Sequence, residues 1–401
     1  MTRHASTQLA PRRRSRNRSA EGLVVICAGN NYDSVKLHDH HMAERLATRA
    51  PVLYVDPPLS HLTPRNDPGL APSLIPPRLR RVPAGFWRLT PVVAPFPTRS
   101  GMRAVTERLV RRALARAVAS LGMDVRAVVT AWPELDVFGA CDEQLGVWWA
   151  QDDFAAGAGL MGAFAARVAA GERARADSSD LVVAANPDVA ARWRSEGHDV
   201  ELIPYGADPE SFAEVEHTPL APGVDLTPPV AVLVGHLNER VDPRLLEAVA
   251  ARDVSLLLVG PAPDAGAQWL TELTARPNVA WAGRQPFTAL PGFLAHGHVG
   301  LVPYANTAFN RGCFPLKTLE YLAAGLPVVA TDLPATRWLD AGPDLVTIAT
   351  SEKGFADAVA SAASANLTPA ARESRRAFAR SHSYDERARD LLAAIDDRLP
   401  D

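Results

Sequence analysis

The sequence predicts an α/β protein built from two doubly wound domains, and three observations carry that prediction. Leu23–Ala28 (LVVICA), the turn Gly29-Asn30-Asn31, a helical stretch Lys36–Thr48 and Val52–Val55 (VLYV) form a strand–turn–helix–strand unit. Such a unit opens a parallel sheet. Short apolar runs then recur along the chain, each closed by Gly, Asn, Asp or Pro, as expected of strands buried on both faces. Finally, 401 residues suffice for two separate cores. Pro219, Pro222, Pro228 and Pro229 break regular structure over 213–229, which predicts the linker between them.

Residues 1–21 read as a disordered basic tail. Arg3, Arg12, Arg13, Arg14, Arg16 and Arg18 have no acidic partner, and no apolar run follows closely enough to make a secretory signal. An arm that touches anionic lipid is the sharper alternative. The first domain, 22–212, continues with strands at Ala127–Ala131, Gly146–Ala150, Asp180–Ala185 and Val200–Ile203, and with helices at Met102–Leu121 and Asp188–Ser195. Its stretch 59–100 is rich in proline and poor in periodicity. There Arg78, Arg80, Arg81 and Arg88 are interleaved with Leu79, Phe86, Trp87 and Phe96. Arg103, Arg108, Arg111, Arg112 and Arg116 follow on the polar side of the next helix. Basic residues mixed with Trp and Phe suit a membrane surface, whereas a solvated helix over the core is the plainer reading.

The second domain, 230–382, has strands at Val230–Val234, Val254–Val259, Val279–Ala282, Val299–Pro303 and Val328–Ala330. Helices are expected from Asp242-Pro243, over Phe287–Ala295, from Pro315, and over Glu352–Ala363 and Pro369–His382. A last helix occupies 383–401. The net charge of −3 implies no attraction to nucleic acid. Cys27, Cys141 and Cys313 are odd in number and unpatterned, which fits a reducing cytoplasm and neither a disulfide framework nor a zinc site. No apolar run is long enough to span a bilayer. Without G-x-G-x-x-G, a dinucleotide cofactor is not supported.

Val299–Asp332 carries the chemistry. The run reads as strand, polar loop, helix and strand. Pro315 stands where a missing N–H costs nothing, and Gly325 is the C-terminal stop. A helix N-terminus with Lys317 in its first turn suits phosphate. Glu320, three residues on, can accept two hydroxyl hydrogen bonds, as a ribose offers; a solvated Lys–Glu pair is the plain alternative. Leu316 starts the apolar face, while Tyr304 and Asn310 belong to the preceding loop. Gly235 and His236 follow a strand directly, where backbone can approach a diphosphate, and Arg240 can reach it. In the first domain Gln151-Asp152-Asp153 ends a strand, at the mouth of the sheet. One of the two carboxylates could act as base and the other as a helix cap, and the spacing does not choose. His38 and His41 share a helix face. With no third ligand at zinc-like spacing, they are expected to line a cleft. His41 stands beside the catalytic candidates, and His38 with Gly29 and Asn30 on the acceptor side.

Pro315–Asp332 (PLKTLEYLAAGLPVVATD) resembles the donor-site motif of GT-B glycosyltransferases, in the branch that includes teichuronic-acid-type transferases and xanthan glucuronosyltransferase. Many relatives carry E-x7-E; here Glu320 is the second position and Gly312 occupies the first, so no role comes with it. The resemblance implies two Rossmann-like domains facing a central cleft, with the last helix crossing back to the first domain. It implies a UDP- or GDP-sugar donor, an acceptor that is a glycan or a lipid-linked sugar, and a hexosyl transfer without metal. It further implies a place in cell-surface polysaccharide synthesis, an aspartate base near 152–153, and Gly283, Arg284 and Gln285 around the nucleotide base. A nucleotide-sugar epimerase of the same fold is the rival enzyme. A non-catalytic sugar-nucleotide-binding protein, suggested by Gly312, is the rival without chemistry.

Overall fold

The computed structural model describes residues 22–399 except 35, 98, 100, 158–164 and 263–267. The basic tail read over 1–21 lies outside the described residues. Two sheets organise the rest. The first holds β1 (Leu23–Cys27), β2 (Val52–Val55), β3 (Leu79–Arg81), β4 (Trp87–Leu89), β5 (Val125–Thr130), β6 (Leu145–Ala150), β7 (Leu181–Ala184) and β8 (Val200–Leu202), in the order β3-β4-β2-β1-β5-β6-β7-β8. The second holds β9 (Val230–Val234), β10 (Ser255–Val259), β11 (Val279–Trp281), β12 (Val299–Val302), β13 (Val328–Thr331) and β14 (Val346–Ala349), in the order β11-β10-β9-β12-β13-β14. Every pairing is parallel except β3 with β4. Strands such as LVVIC, LGVWWA and VAVLV are buried along their whole length, which is why they read as continuous apolar runs rather than alternating ones.

In each sheet the strand order reverses at one place: between β1 and β5 in the first, and between β9 and β12 in the second. A crevice opens at the carboxyl ends of the strands at such a switch point. The turns after β1, β6, β9 and β12 border one shared cleft. The connection between the domains is double. Ala207 N–H donates to His382 O at 2.9 Å and Tyr384 N–H to Ala207 O at 2.9 Å. A Cβ on Gly206 would lie 2.5 Å from Tyr384 N, so only glycine lets the two crossings touch. The last helix, Tyr384–Asp396, then packs Tyr384, Ala388, Leu391 and Ile395 into the first domain's core with Val24, Ile26 and Met42.

The proline-rich stretch departs from its reading. β3 and β4 extend the first sheet there, and Arg88 and Phe86 are core residues rather than surface ones, each 1% exposed. Three-residue strands carrying arginine leave no periodic trace. Arg88 donates from Nε to Asp56 and from Nη1 to Asp33, both at 2.8 Å, and from Nη2 to Asn31 Oδ1 at 3.0 Å. It thereby pins the loop after β1 to β2 and β4. Arg88→Met should cost about 3 kcal/mol or more, because Asp56 would be left buried without its cation. Urea denaturation of Arg88→Met against Arg88→Met/Asp56→Asn checks this, and the double variant should recover part of the loss. Further elements carried no sequence signal strong enough to read, among them β14 and the helices Ala165–Ser178, Gln268–Thr274 and Pro334–Trp338.

Candidate functional site

The cleft encloses a cavity of about 890 Å³ whose walls come from both sheets. The second domain supplies a cationic wall. Gly235 follows β9 with φ +157° and Gly260 follows β10 with φ +144°. A Cβ on Gly260 would lie 1.9 Å from Gly235 O, so the two turns are stacked backbone on backbone. Nothing lies within 4 Å of the place a Gly235 Cβ would take, which leaves that turn open for a ligand to approach. His236, Arg240 and Lys317 all line this wall. Burial, and then the positive charges of Arg284, Arg240 and Lys317, lower the His236 pKa, so the neutral ring is favoured.

Lys317 and Glu320 lie in the first turns of the helix Leu316–Ala323 and pair with each other. They do so inside the cleft, with Glu320 only 6% exposed, and so do not form the solvated surface pair of the plain reading. Arg240 is fixed from behind. Its Nε donates to Asn310 Oδ1 at 3.1 Å, and its guanidinium sits 5.0 Å from the Tyr304 ring centre and 5.3 Å from that of Phe309. Asn310 in turn donates to Arg240 O and Ala305 O. Asn310 is buried behind the wall and does not line the cavity, so it positions Arg240 rather than meeting a ligand. Tyr304, Leu316 and Gln285 do line it, whereas Gly283 and Arg284 stand outside. Gly283 instead accepts Gly260 N–H at 2.8 Å, and Arg284 is exposed.

The first domain supplies the opposite wall. Asp152 and Asp153, which the sequence could not separate, part company here. Asp152 lines the cavity, and its Oδ2 accepts from Tyr205 OH at 3.1 Å. Burial pushes its pKa up to about 6, against the lowering influence of Arg240. Asp153 turns away. Its Oδ1 accepts Ala156 N–H at 2.9 Å, and its Oδ2 lies 3.3 Å from Arg192. As a cap and ion-pair partner it is not placed to act on a ligand. Gly312 packs against it, and a Cβ there would lie 2.6 Å from Asp153 Cβ. Position 312 therefore has no room for the glutamate many relatives carry.

His38, His41, Gly29 and Asn30 also border the cavity. His41 stacks on Tyr384 with ring centres 4.6 Å apart and lies 3.9 Å from Asp208. Its pKa falls to about 4, chiefly through burial, so it is neutral at neutral pH. Sequence reasoning missed Asp39, which borders the same cavity while only 1% exposed. An aspartate in the first turn of a helix reads as an ordinary partner for the helix dipole, and that hid it. Among the described residues no group of three or more His, Cys, Asp or Glu is placed to hold a metal ion. No helix among them is long and apolar enough to cross a membrane.

The arrangement defines a class: two parallel-sheet domains with their carboxyl ends facing one cleft are the GT-B fold, and residues 234–365 match the family described as glycosyl transferases group 1. The chain is thus a GT-B protein with a glycosyl transferases group 1 segment in its second domain. More particularly, 105 residues are 35% identical to the putative teichuronic acid biosynthesis glycosyltransferase TuaH of Bacillus subtilis (strain 168). That match covers 26% of this chain and 26% of TuaH, about a quarter of the curated relative's length. Among solved structures, sucrose-phosphate synthase (tll1590) from Thermosynechococcus elongatus superposes with a TM-score of 0.70 at 14% identity, over 94% of this chain and 99% of that one. Anabaena Alr3699/HepE, solved in complex with UDP and glucose, gives 0.61 at 14% identity, over 94% and 100%.

Proposed function

We propose that the protein transfers a sugar from a nucleoside-diphosphate sugar to a hydroxyl of a glycan or lipid-linked acceptor. One observation carries this: a single cavity has Gly235, Arg240, Lys317 and Glu320 on one wall and the desolvated carboxylate of Asp152 on the other. Lys317, Arg240 and the open Gly235 turn receive the diphosphate, and Glu320 receives the ribose hydroxyls. Asp152 takes the proton of the acceptor hydroxyl. The acceptor oxygen bonds to the anomeric carbon as the bond from that carbon to phosphate breaks. The nucleoside diphosphate departs with the electron pair, its charge matched by Lys317 and Arg240. Two cations on this wall do the work a metal ion would do, so the transfer is read as metal-independent, and a base on the acceptor side fits inversion at the anomeric carbon. The likeness to TuaH, a putative teichuronic acid biosynthesis glycosyltransferase, supports an acceptor in cell-surface polysaccharide synthesis.

The test is a thermal-shift panel of UDP-, GDP-, ADP- and dTDP-sugars on wild type and Lys317→Ala. A ligand at about 100 times its dissociation constant should stabilise the fold by roughly 2.7 kcal/mol. One nucleotide should raise the melting temperature, and Lys317→Ala should remove that rise. No shift with any of them in wild type would overturn the donor-site reading.

Membrane-surface contact is read from one further observation. Arg103, Arg108, Arg112 and Arg116 are exposed along the helix Arg103–Leu121. Val105 is 44% exposed among them, and Phe96 is 51% exposed beside Arg99. Arg103 also borders the cavity, so this surface leads to the acceptor side. Each arginine near an anionic surface contributes about 1 kcal/mol. The protein should co-sediment with phosphatidylcholine vesicles containing phosphatidylglycerol and not with phosphatidylcholine alone, and Arg108→Glu/Arg112→Glu should abolish it. Equal sedimentation of wild type and this variant would refute membrane contact.

A further inference from the structure

Asn186 stands outside the chemistry proposed above, yet it is fully buried and joins the two domains. It follows β7 in the first domain and caps the helix Pro187–Ser195, its Oδ1 accepting Asp188 N–H at 2.7 Å. Its Nδ2 reaches into the second domain. There it donates to Cys313 O at 2.8 Å and to Arg311 O at 3.1 Å. A side-chain amide offers two donor hydrogens and one acceptor oxygen, and all of them are in use here. Aspartate would keep the cap but present an acceptor to two carbonyls. Serine would keep the cap but is one atom shorter.

The clasped segment touches both walls of the cleft. At one end Asn310 holds Arg240, accepting from its Nε at 3.1 Å and donating to its backbone O at 2.9 Å. At the other end the Cys313 side chain is hydrogen-bonded to Asp152. Two further contacts press the first domain on the same segment. A Cβ on Gly157 would lie 2.4 Å from the Phe309 ring, which itself packs on Arg240, and Gly312 sits on Asp153. The helix that Asn186 caps also packs on the second domain's helix Pro334–Trp338, so Asn186 projects from an element already docked across the interface.

The base feels this segment directly. Burial raises the Asp152 pKa most, Arg240, Cys313 and Tyr205 lower it, and Asp153 raises it. Of these groups Cys313 belongs to the clasped segment and Arg240 is held by it.

We propose that Asn186 is a positioning residue for the transfer: by clasping 311–313 it sets Arg240, which meets the departing diphosphate, and Asp152, which meets the acceptor, at their working separation across the cleft. This rests on the roles proposed above for those two residues. Three variants test it. Asn186→Ser keeps a capping oxygen and loses the clasp. Asn186→Asp keeps the cap and turns the clasp into repulsion between a carboxylate and two carbonyl oxygens. Gly312→Ala leaves Asn186 in place and pushes on the segment from within. Its Cβ would lie 2.6 Å from Asp153 Cβ, while its φ of −82° suits any residue.

Each variant should lower kcat by about tenfold to a hundredfold, with Asn186→Asp below Asn186→Ser. The melting shift produced by the donor should persist, because Lys317 and the Gly235 turn do not depend on the clasp. The acid limb of kcat/KM should move below about 6, since burial is the largest influence on Asp152 and lifting the segment admits water. A contact that served only to stabilise the fold would change the melting temperature and leave that limb in place. Wild-type kcat in Asn186→Asp and Gly312→Ala, or a limb unmoved while kcat falls, overturns the proposal. If neither Asn186 variant folds, Gly312→Ala decides by the same two readouts. A wild type with no donor shift, or with no acid limb, would instead bring down the donor site or the Asp152 base themselves, so the failures are distinguishable.

Discussion

Asp152→Asn should lower kcat for sugar transfer by about 10²–10⁴ while the melting shift produced by the donor stays intact. The amide keeps the shape of the side chain and its contact with Tyr205, but it cannot accept a proton at neutral pH. The wild-type pH profile should carry the same signature. Burial raises the Asp152 pKa to about 6. Below that pH the carboxyl is protonated and unable to act as base, so kcat/KM should fall about tenfold per pH unit on the acid side. Above it the carboxylate is already formed and this limb should be flat. His41, with a pKa near 4, is neutral across the range and adds no second acid limb near 6. Asp153→Asn provides the contrast. That residue caps a turn and pairs with Arg192, so its loss should appear as lower stability with kcat nearly unchanged. An Asp153→Asn variant as dead as Asp152→Asn, with donor binding and melting temperature preserved in both, would move the base to Asp153.

Gly260→Ala should destabilise the fold by about 3 kcal/mol or more and should also weaken donor binding. Two costs coincide there. The φ of +144° is one that side chains rarely adopt, and the added Cβ would lie 1.9 Å from Gly235 O, a backbone atom that cannot swing aside. Relief requires the Gly235 turn to move, and that turn is where the diphosphate is expected to approach. Gly223→Ala separates the two costs. Its φ is +77°, yet nothing lies within 4 Å of its Cβ position, so only the backbone conformation is penalised, by about 1 kcal/mol. Urea denaturation of both variants, with donor titration by thermal shift, reads the difference. Equal losses in stability at the two positions would show that the turns after β9 and β10 are not in rigid contact.

Much of the site was legible because helix and strand ends leave local marks. PLKTLEYLAAG has its own start, face and stop, and places Lys317 and Glu320 without reference to the rest of the chain. Gly235 after VAVLV and Asp152 after GVWWA follow the rule that ligands meet the carboxyl ends of parallel strands. Arg88, β3 and β4 were not legible. A three-residue strand has no period to detect, and an arginine buried by two aspartates far away in sequence looks like any surface arginine. Asp39 was missed for the same reason: its meaning depends on Gln151, 112 positions later.

The sequence alone thus determined the two sheets and the helix that carries Lys317 and Glu320, because each follows from apolar runs, glycines and prolines acting over a few residues. The tertiary structure decided what depends on the packing of distant segments. It turned Asp152 into the cleft and Asp153 onto Arg192. It filled the space beside Gly312 with Asp153 Cβ and moved Asn310 behind Arg240. Neighbouring carboxylates have the same local chemistry. Only burial on one side and an ion pair on the other make them different, and those come from contacts that no short window of sequence contains.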